Sequence, residues 1–302
     1  MIRYAEHLGE NCAAIFLFHG VIREQRHGIR NYTRKHLSQA RFRLIVEELR
    51  AEGAPISMPE LLAALASQRR LPARSFAITF DDGFENNYSV AAPILRSLEI
   101  PATFYVTTAF IESNAASWID LIEYAVERTP AFELSLAQAE LRGAYTTREE
   151  KLELLNSIRR VVKRDRRIDP YAFADEVWRQ LRVTAMEPDA SLDQKMAWDQ
   201  VRDLGQDPRF TIGGHGHTHR ILEHLNQPDL EQEIGTSMTM LRAQLGRTLE
   251  HYSYPEGLAH CYSERVIDVL RSHGIRCAVT AEPGTNSAGA DPFRLKRIAV
   301  NS

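Results

Sequence analysis

Two short segments of this chain carry more titratable groups than an ordinary turn needs. The first, Thr79-Phe80-Asp81-Asp82-Gly83, places two adjacent carboxylates directly after an apolar run. Paired acids at the end of a buried strand are costly unless a cation or a metal compensates them. In an extended chain neighbouring side chains point to opposite sides, but a turn at Gly83 can bring both acids to one cavity with different tasks. The second, Gly213-Gly214-His215-Gly216-His217-Thr218-His219, holds three imidazoles within five residues. His215 and His219 stand at i and i+4, so one helical turn would set both on one side, with His217 pointing away. Two neutral imidazoles and one carboxylate leave one position open on a tetrahedral divalent metal, as a catalytic centre requires. A third segment, Tyr252-Ser253-Tyr254-Pro255-Glu256-Gly257, leaves a strand at Pro-x-Gly. Such a sharp turn can aim a backbone N–H at an oxyanion.

The elements that must position these residues are legible as alternating strands and helices. Short β-branched or aromatic runs at 14–18, 75–80, 102–106, 210–212, 252–254, 276–279 and 297–300 are bounded by Gly, Pro or Asp and read as strands. Continuous apolar runs suit strands covered on both faces of a parallel sheet. Helical patterns lie between them. One covers 37–51 and stops at Gly53, a glycine suited to the left-handed conformation; another, with Leu230, Ile234, Met238, Leu241 and Leu245 on one face, stops at Gly246. A third, 267–273, stops at Gly274. Seven strand signals alternating with helices predict an α/β barrel. From about 114 to 195 the pattern is helical with no strand signal, and Thr147-Arg148-Glu149-Glu150 forms a capping box that opens a helix through Arg160. Arg159, Arg160, Lys163, Arg164, Arg166 and Arg167 there read as a solvated face, or else as a clamp for a phosphorylated substrate.

Lys and Arg number 37 against 40 Asp and Glu, a net charge of −3, so the chain lacks the basic balance of a nucleic-acid binder. Cys12, Cys261 and Cys277 are odd in number, scattered, and without a C-x-x-C pair, which argues against a disulfide framework or a Cys-rich zinc site. No apolar run reaches the roughly 18 residues of a membrane helix. The start of the chain lacks a basic stretch followed by an apolar one, so the expected localisation is cytoplasmic.

Together the three segments resemble the polysaccharide deacetylase family, the NodB-homology carbohydrate esterases. Thr79-Phe80-Asp81-Asp82-Gly83, then Gly214-His215 with His219, then Tyr254-Pro255-Glu256-Gly257 match in order. Phe18-His19-Gly20-Val21, Pro101-Ala102-Thr103-Phe104-Tyr105 and Asp291-Pro292-Phe293-Arg294-Leu295 agree in the flanks. The resemblance implies a distorted (β/α)7 barrel, here one domain over 1–302 with a helical insertion at about 114–195. It implies a divalent metal, most commonly Zn2+, held by Asp82, His215 and His219, with Asp81 as catalytic base. The N–H of Glu256 takes the oxyanion position, and Tyr254, Pro255 and Arg297 fall at the substrate. Three departures stand out. Members often place Tyr where Glu256 stands. Many members carry Arg ahead of the Pro motif, where this chain has Ser253. The Leu-x-His that supplies a general acid reads Leu295-Lys296-Arg297 here, which leaves His19, and after it His217, as the expected proton donor.

The function expected from this resemblance is metal-dependent hydrolysis of an N-acetyl or formyl group on an amino sugar. The expected substrate is a nucleotide- or lipid-linked intermediate of surface polysaccharide biosynthesis. Two other readings compete. Gly216-His217-Thr218-His219 resembles the terminal Gly-His-x-His of metallophosphoesterases, although no early Asp-x-His accompanies it. A catalytically silent glycan-binding barrel is the other.

Overall fold

The computed structural model describes residues 3–25 and 28–301. Among these residues seven parallel strands form the frame that carries the motifs: β1 (Cys12–Phe18), β2 (Ser75–Phe80), β3 (Ala102–Val106), β4 (Phe210–Gly214), β5 (His251–Ser253), β6 (Cys277–Val279) and β7 (Ile298–Ala299). Their order in the sheet is β6-β5-β4-β3-β2-β1, with β7 beside β1. Registers run Phe16 to Ile78, Ile78 to Ala102, Ala102 to Phe210, and Phe16 to Ile298. Leu295 bridges Val279 of β6 just before β7 joins β1, so the last segment spans the gap and curls the sheet into a distorted (β/α) barrel. Two short strands extend it, Ala54–Pro55 beside β2 and Asn286–Ser287 antiparallel to β1.

The continuous apolar runs are explained by burial on both faces. Every residue of β2 and β3 is buried. Phe18, Phe80 and Phe104, on three adjacent strands, stack at 5.5 and 5.1 Å between ring centroids. Fully burying one such side chain contributes roughly 1.5–3 kcal/mol. Thr79 is tolerated inside this stretch because its hydroxyl donates to the Phe16 carbonyl at 2.9 Å. The helices Gln39–Glu52, Gln227–Leu245 and Glu264–Ser272 cover the sheet with the apolar faces the sequence indicates. Gly246 and Gly274 are left-handed as their helix stops require, at φ 65° and 80°. Gly53 is not: its φ is −142°, extended, and it is glycine because a Cβ would lie 2.7 Å from the Arg74 carbonyl.

The chain divides into two compact units, one of Met1–Gln25, Lys35–Ala115 and Gln194–Ser302, the other of Arg26–Arg34 and Ala116–Asp193. The second unit has a core of its own, with Trp118, Ile122, Leu155, Ile158, Phe173 and Val177 closed to solvent. Its helices are Trp118–Arg128, Arg148–Val162 and Pro170–Leu181, and the Thr147/Glu150 capping box is formed. It is not purely helical. Phe132–Leu136 and Leu141–Tyr145 form an antiparallel hairpin whose first strand alternates exposed Glu133 and Ser135 with buried Leu134 and Leu136. That period-2 alternation is short and is interrupted by Ala137–Ala139, which is why helical patterning masks it in the sequence. In the basic stretch Arg159 pairs with Glu123 and Arg167 with Asp165, while Arg160, Arg164 and Arg166 face solvent. Among the described residues no helix is long and apolar enough to cross a membrane.

Candidate active site

The barrel strands β1, β2, β4 and β5 each end on a residue group of interest. The backbone ladder continues past β2, with the Asp81 N–H donating to the Phe18 carbonyl at 3.0 Å, and past β4, with the His215 N–H donating to Val106 at 3.0 Å. Asp82 then takes a left-handed conformation, φ 76°, followed by Gly83 at 86°. This pair of turns overrides the strand alternation and brings both carboxylates towards His215 Nε2, Asp82 at 3.5 Å and Asp81 at 3.9 Å. Asp is among the few residues that reach this region at modest cost. Gly83 has no room for a side chain, since a Cβ would lie 2.9 Å from Ile111.

Asp82, His215 and His219 converge, with one ligand atom from each within 4.8 Å of the others. Asp82 Oδ1 lies 3.5 Å from His215 Nε2 and 3.3 Å from His219 Nε2. It is buried and has no hydrogen-bond partner among the described residues. An orphaned buried carboxylate oxygen is expensive, and an ion removes the cost. A tetrahedral ion with bonds of about 2.0–2.1 Å has ligand-to-ligand edges of roughly 3.3–3.4 Å, matching these separations. His215 Nδ1 lies 2.8 Å from the Ser253 carbonyl. That bond requires the proton on Nδ1 and leaves the Nε2 lone pair for a ligand, the orientation metal-binding imidazoles show. These three residues fit a divalent ion.

The two histidines meet by a different route from the one their spacing suggests. Residues 215–220 form no helical turn. The chain reverses through Gly216 at φ 80° and His219 at φ 61°. The imidazoles end with centroids 4.8 Å apart. His217 turns aside, its Nδ1 2.9 Å from Thr108 Oγ1.

Asp81 borders this cluster, its Oδ2 3.9 Å from His215 Nε2, and is gripped by Arg297. The guanidinium donates to both carboxylate oxygens, at 2.8 and 2.7 Å, and Ser253 Oγ donates to Oδ2 at 3.2 Å. Arg297 also donates to Ser253 Oγ at 3.0 Å and to the Thr280 carbonyl. It is 1% exposed, so its guanidinium is committed to Asp81 and does not face a substrate, contrary to its expected place. The register explains why: Ile298 sits level with Phe16 and Ile78, so Arg297 starts well below Asp81 and its long stem rises through the barrel interior. Ser253 and Arg297 thus combine around one carboxylate. Burial alone would raise the pKa of Asp81, but the charge and hydrogen bonds of Arg297, with His215 and His19, together outweigh it and hold the group below the usual carboxylate range. Asp82 is also opposed by burial, yet His215 and His219 hold it well below that range. Burial lowers the His19 imidazole to about 4, against the pull of Asp82 and Asp81, which both act on it. His19 is partly exposed just beyond β1, and its carbonyl accepts from Asn87 Nδ2 at 2.6 Å.

In the third segment Glu256 is left-handed, φ 61°, with Gly257 at 60° and the Gly257 carbonyl accepting from Ala281 N–H at 2.8 Å. The Glu256 carboxylate acts electrostatically on His219, raising its pKa against the lowering effect of burial. Pro255 is buried near Gly216. Tyr254 is fully buried, stacked on Tyr262 at 4.4 Å, with its hydroxyl donating to the Phe293 carbonyl at 2.9 Å. That side chain supports the turn rather than meeting a substrate. Sequence reading missed Lys195, 2% exposed, whose Nζ lies 4.2 Å from the Phe84 ring centroid, with Lys35 at 5.0 Å from the same ring.

A family model described as polysaccharide deacetylase matches residues 68–278, more than half of the chain. No curated protein matches it significantly. Among solved structures it is similar to a Streptococcus pyogenes deacetylase, PplD, in complex with acetate, at 16% identity and a TM-score of 0.62, over 97% of this chain and 93% of that one. It is similar to IcaB from Ammonifex degensii at 16% identity and a TM-score of 0.62, over 97% and 94%. The BpsB deacetylase domain from Bordetella bronchiseptica aligns at 18% identity and a TM-score of 0.58, over 95% of each chain.

Proposed function

The chain belongs to the polysaccharide deacetylase family, and from that premise we propose that it hydrolyses the N-acetyl group of an amino sugar in a glycan, with a divalent ion held by Asp82, His215 and His219. The observation that carries this reading is the division of labour between consecutive acids. Asp82 presents a partnerless oxygen to two imidazole nitrogens at 3.3 and 3.5 Å, while Asp81 is turned to Arg297 and kept ionised. Two nitrogens and one carboxylate oxygen suit zinc. A divalent ion bound there supplies Lewis acidity, polarising the acyl oxygen and making water nucleophilic near neutral pH.

The residues supply the rest. Asp81 removes the proton from the attacking water; because Arg297 keeps its pKa low, the base is ionised across the neutral range. The Glu256 N–H, in its left-handed turn, donates to the oxyanion of the tetrahedral species, a contribution of about 3 kcal/mol for one such donor. His19 protonates the departing amine. Burial keeps it neutral at rest, so the proton it gives to the amine is the one Asp81 takes from the attacking water, passed on through the imidazole. A complete set of ligands and base favours turnover over silent glycan binding.

Incubating the zinc-loaded protein with a panel of acetamido and formamido sugars, free, polymeric and nucleotide-linked, tests the proposal by mass. Loss of one acetyl group from an N-acetyl sugar is the expected result. Loss of formyl alone, or phosphate release, would replace it.

A further inference from the structure

We propose that Glu233 is a positioning residue for the metal centre: its carboxylate clamps the backbone of the loop that carries His219. The inference rests on the metal-site reading given above. The loop after His215 has no helical or sheet ladder, so its N–H groups need partners elsewhere. Two of them, His217 N–H and Thr218 N–H, donate to the single oxygen Oε1 of Glu233, at 2.8 and 2.6 Å. Thr218 Oγ1 donates to Oε2 at 2.7 Å. Glu233 belongs to the helix Gln227–Leu245 and is 7% exposed, on the face that also buries Leu230 and Ile234. A carboxylate on an apolar helix face is costly unless it is satisfied, and these three donors from one loop satisfy it.

The opposite side of the loop is fastened too. Thr108 N–H donates to the Gly216 carbonyl at 3.2 Å and Ala109 N–H to the His217 carbonyl at 2.9 Å. Between the two clamps there is no space for a side chain at Gly216, where a Cβ would lie 2.9 Å from Glu233 Oε1. His219 follows directly after the clamped Thr218 and holds φ 61°, a conformation that costs a non-glycine residue energy unless its surroundings impose it. Glu233 imposes it from outside the ligand set. A pre-formed His219 lets the ion bind without first ordering the loop.

The test measures zinc affinity by competition with a chromophoric chelator, beside the melting temperature of the metal-free chain. Glu233→Ala is expected to weaken zinc by about 10- to 100-fold, the range typical for removal of an outer partner of a metal ligand. Glu233→Gln keeps a carbonyl acceptor for the two N–H groups and is expected to stay within a few-fold of wild type. Leu241→Ala, on the same helix but away from the loop, is expected to lower the melting temperature and leave zinc affinity unchanged. Wild-type affinity in Glu233→Ala would overturn the proposal, as would equal zinc loss in Leu241→Ala. If Glu233→Ala does not fold, Glu233→Asp replaces it, since it keeps the charge but retracts the carboxylate by one methylene. Unchanged affinity there also overturns the clamp. A wild-type chain that binds no zinc overturns the metal site itself, and the clamp with it.

Discussion

Arg297 grips Asp81 with two nitrogens, Nη1 to Oδ1 at 2.8 Å and Nη2 to Oδ2 at 2.7 Å, and both side chains are closed to solvent. The pair is a built-in counter-charge that allows an ionised carboxylate to sit inside a barrel mouth. Removing one partner of a buried pair strands the other, which costs about 3–5 kcal/mol. Arg297→Ala is therefore expected to destabilise the fold by that order. It should also raise the pKa of Asp81, because its main lowering influence is gone. The acid limb of the kcat/KM profile moves to higher pH. A profile unchanged in Arg297→Ala would show that Asp81 is not the group whose ionisation limits the rate.

The two acids are separable by substitution. Asp81→Asn is expected to retain zinc and lose turnover, whereas Asp82→Asn loses zinc, because one Asp82 oxygen lies within 3.5 Å of both imidazoles while Asp81 approaches His215 alone, at 3.9 Å. Zinc content by elemental analysis, read with acetate release, checks this. Equal metal loss in both variants would make Asp81 a ligand and reassign the base.

For the proton donor, His19→Ala is expected to lower kcat by about 10²- to 10⁴-fold with full metal content. His217→Ala is expected to do much less, because its ring is turned to Thr108. A larger loss in His217→Ala would move the donor there.

A buried histidine away from the site sets a pH window for stability. Burial pushes His251 down to about 4, with its Nδ1 3.1 Å from Cys277 Sγ. The unfolded chain binds this proton near pH 6.5 and the folded chain only near 4, so stability is full above 6.5 and falls as pH drops through that interval. His251→Leu is expected to flatten the decline in melting temperature between pH 6.5 and 4. An unchanged slope would assign that decline to other groups, His19 first.

How far the sequence discloses this molecule depends on the range of each signal. The seven strands are local: buried parallel strands are short apolar runs, and 75–80 and 102–106 coincide with β2 and β3. The convergence of Asp82, His215 and His219 is legible because it follows a family pattern. The place of Arg297 is not legible locally, because its partner lies 216 residues away and the contact depends on its height in the barrel. Glu233 left a faint trace, an acid beside Ile234 on an apolar helix face, but nothing local says that three donors await it. His215 and His219 have helical spacing without a helix, since Gly216 and left-handed His219 make the turn instead.

The most direct test of the central claim is a titration of the metal-free protein with zinc while acetate release from an N-acetylated amino-sugar oligomer is followed. One centre at Asp82, His215 and His219 predicts activity that rises to a plateau at one equivalent per chain, and no such rise in His219→Ala. Full activity in the chelated protein, or a requirement for a second equivalent, would contradict it.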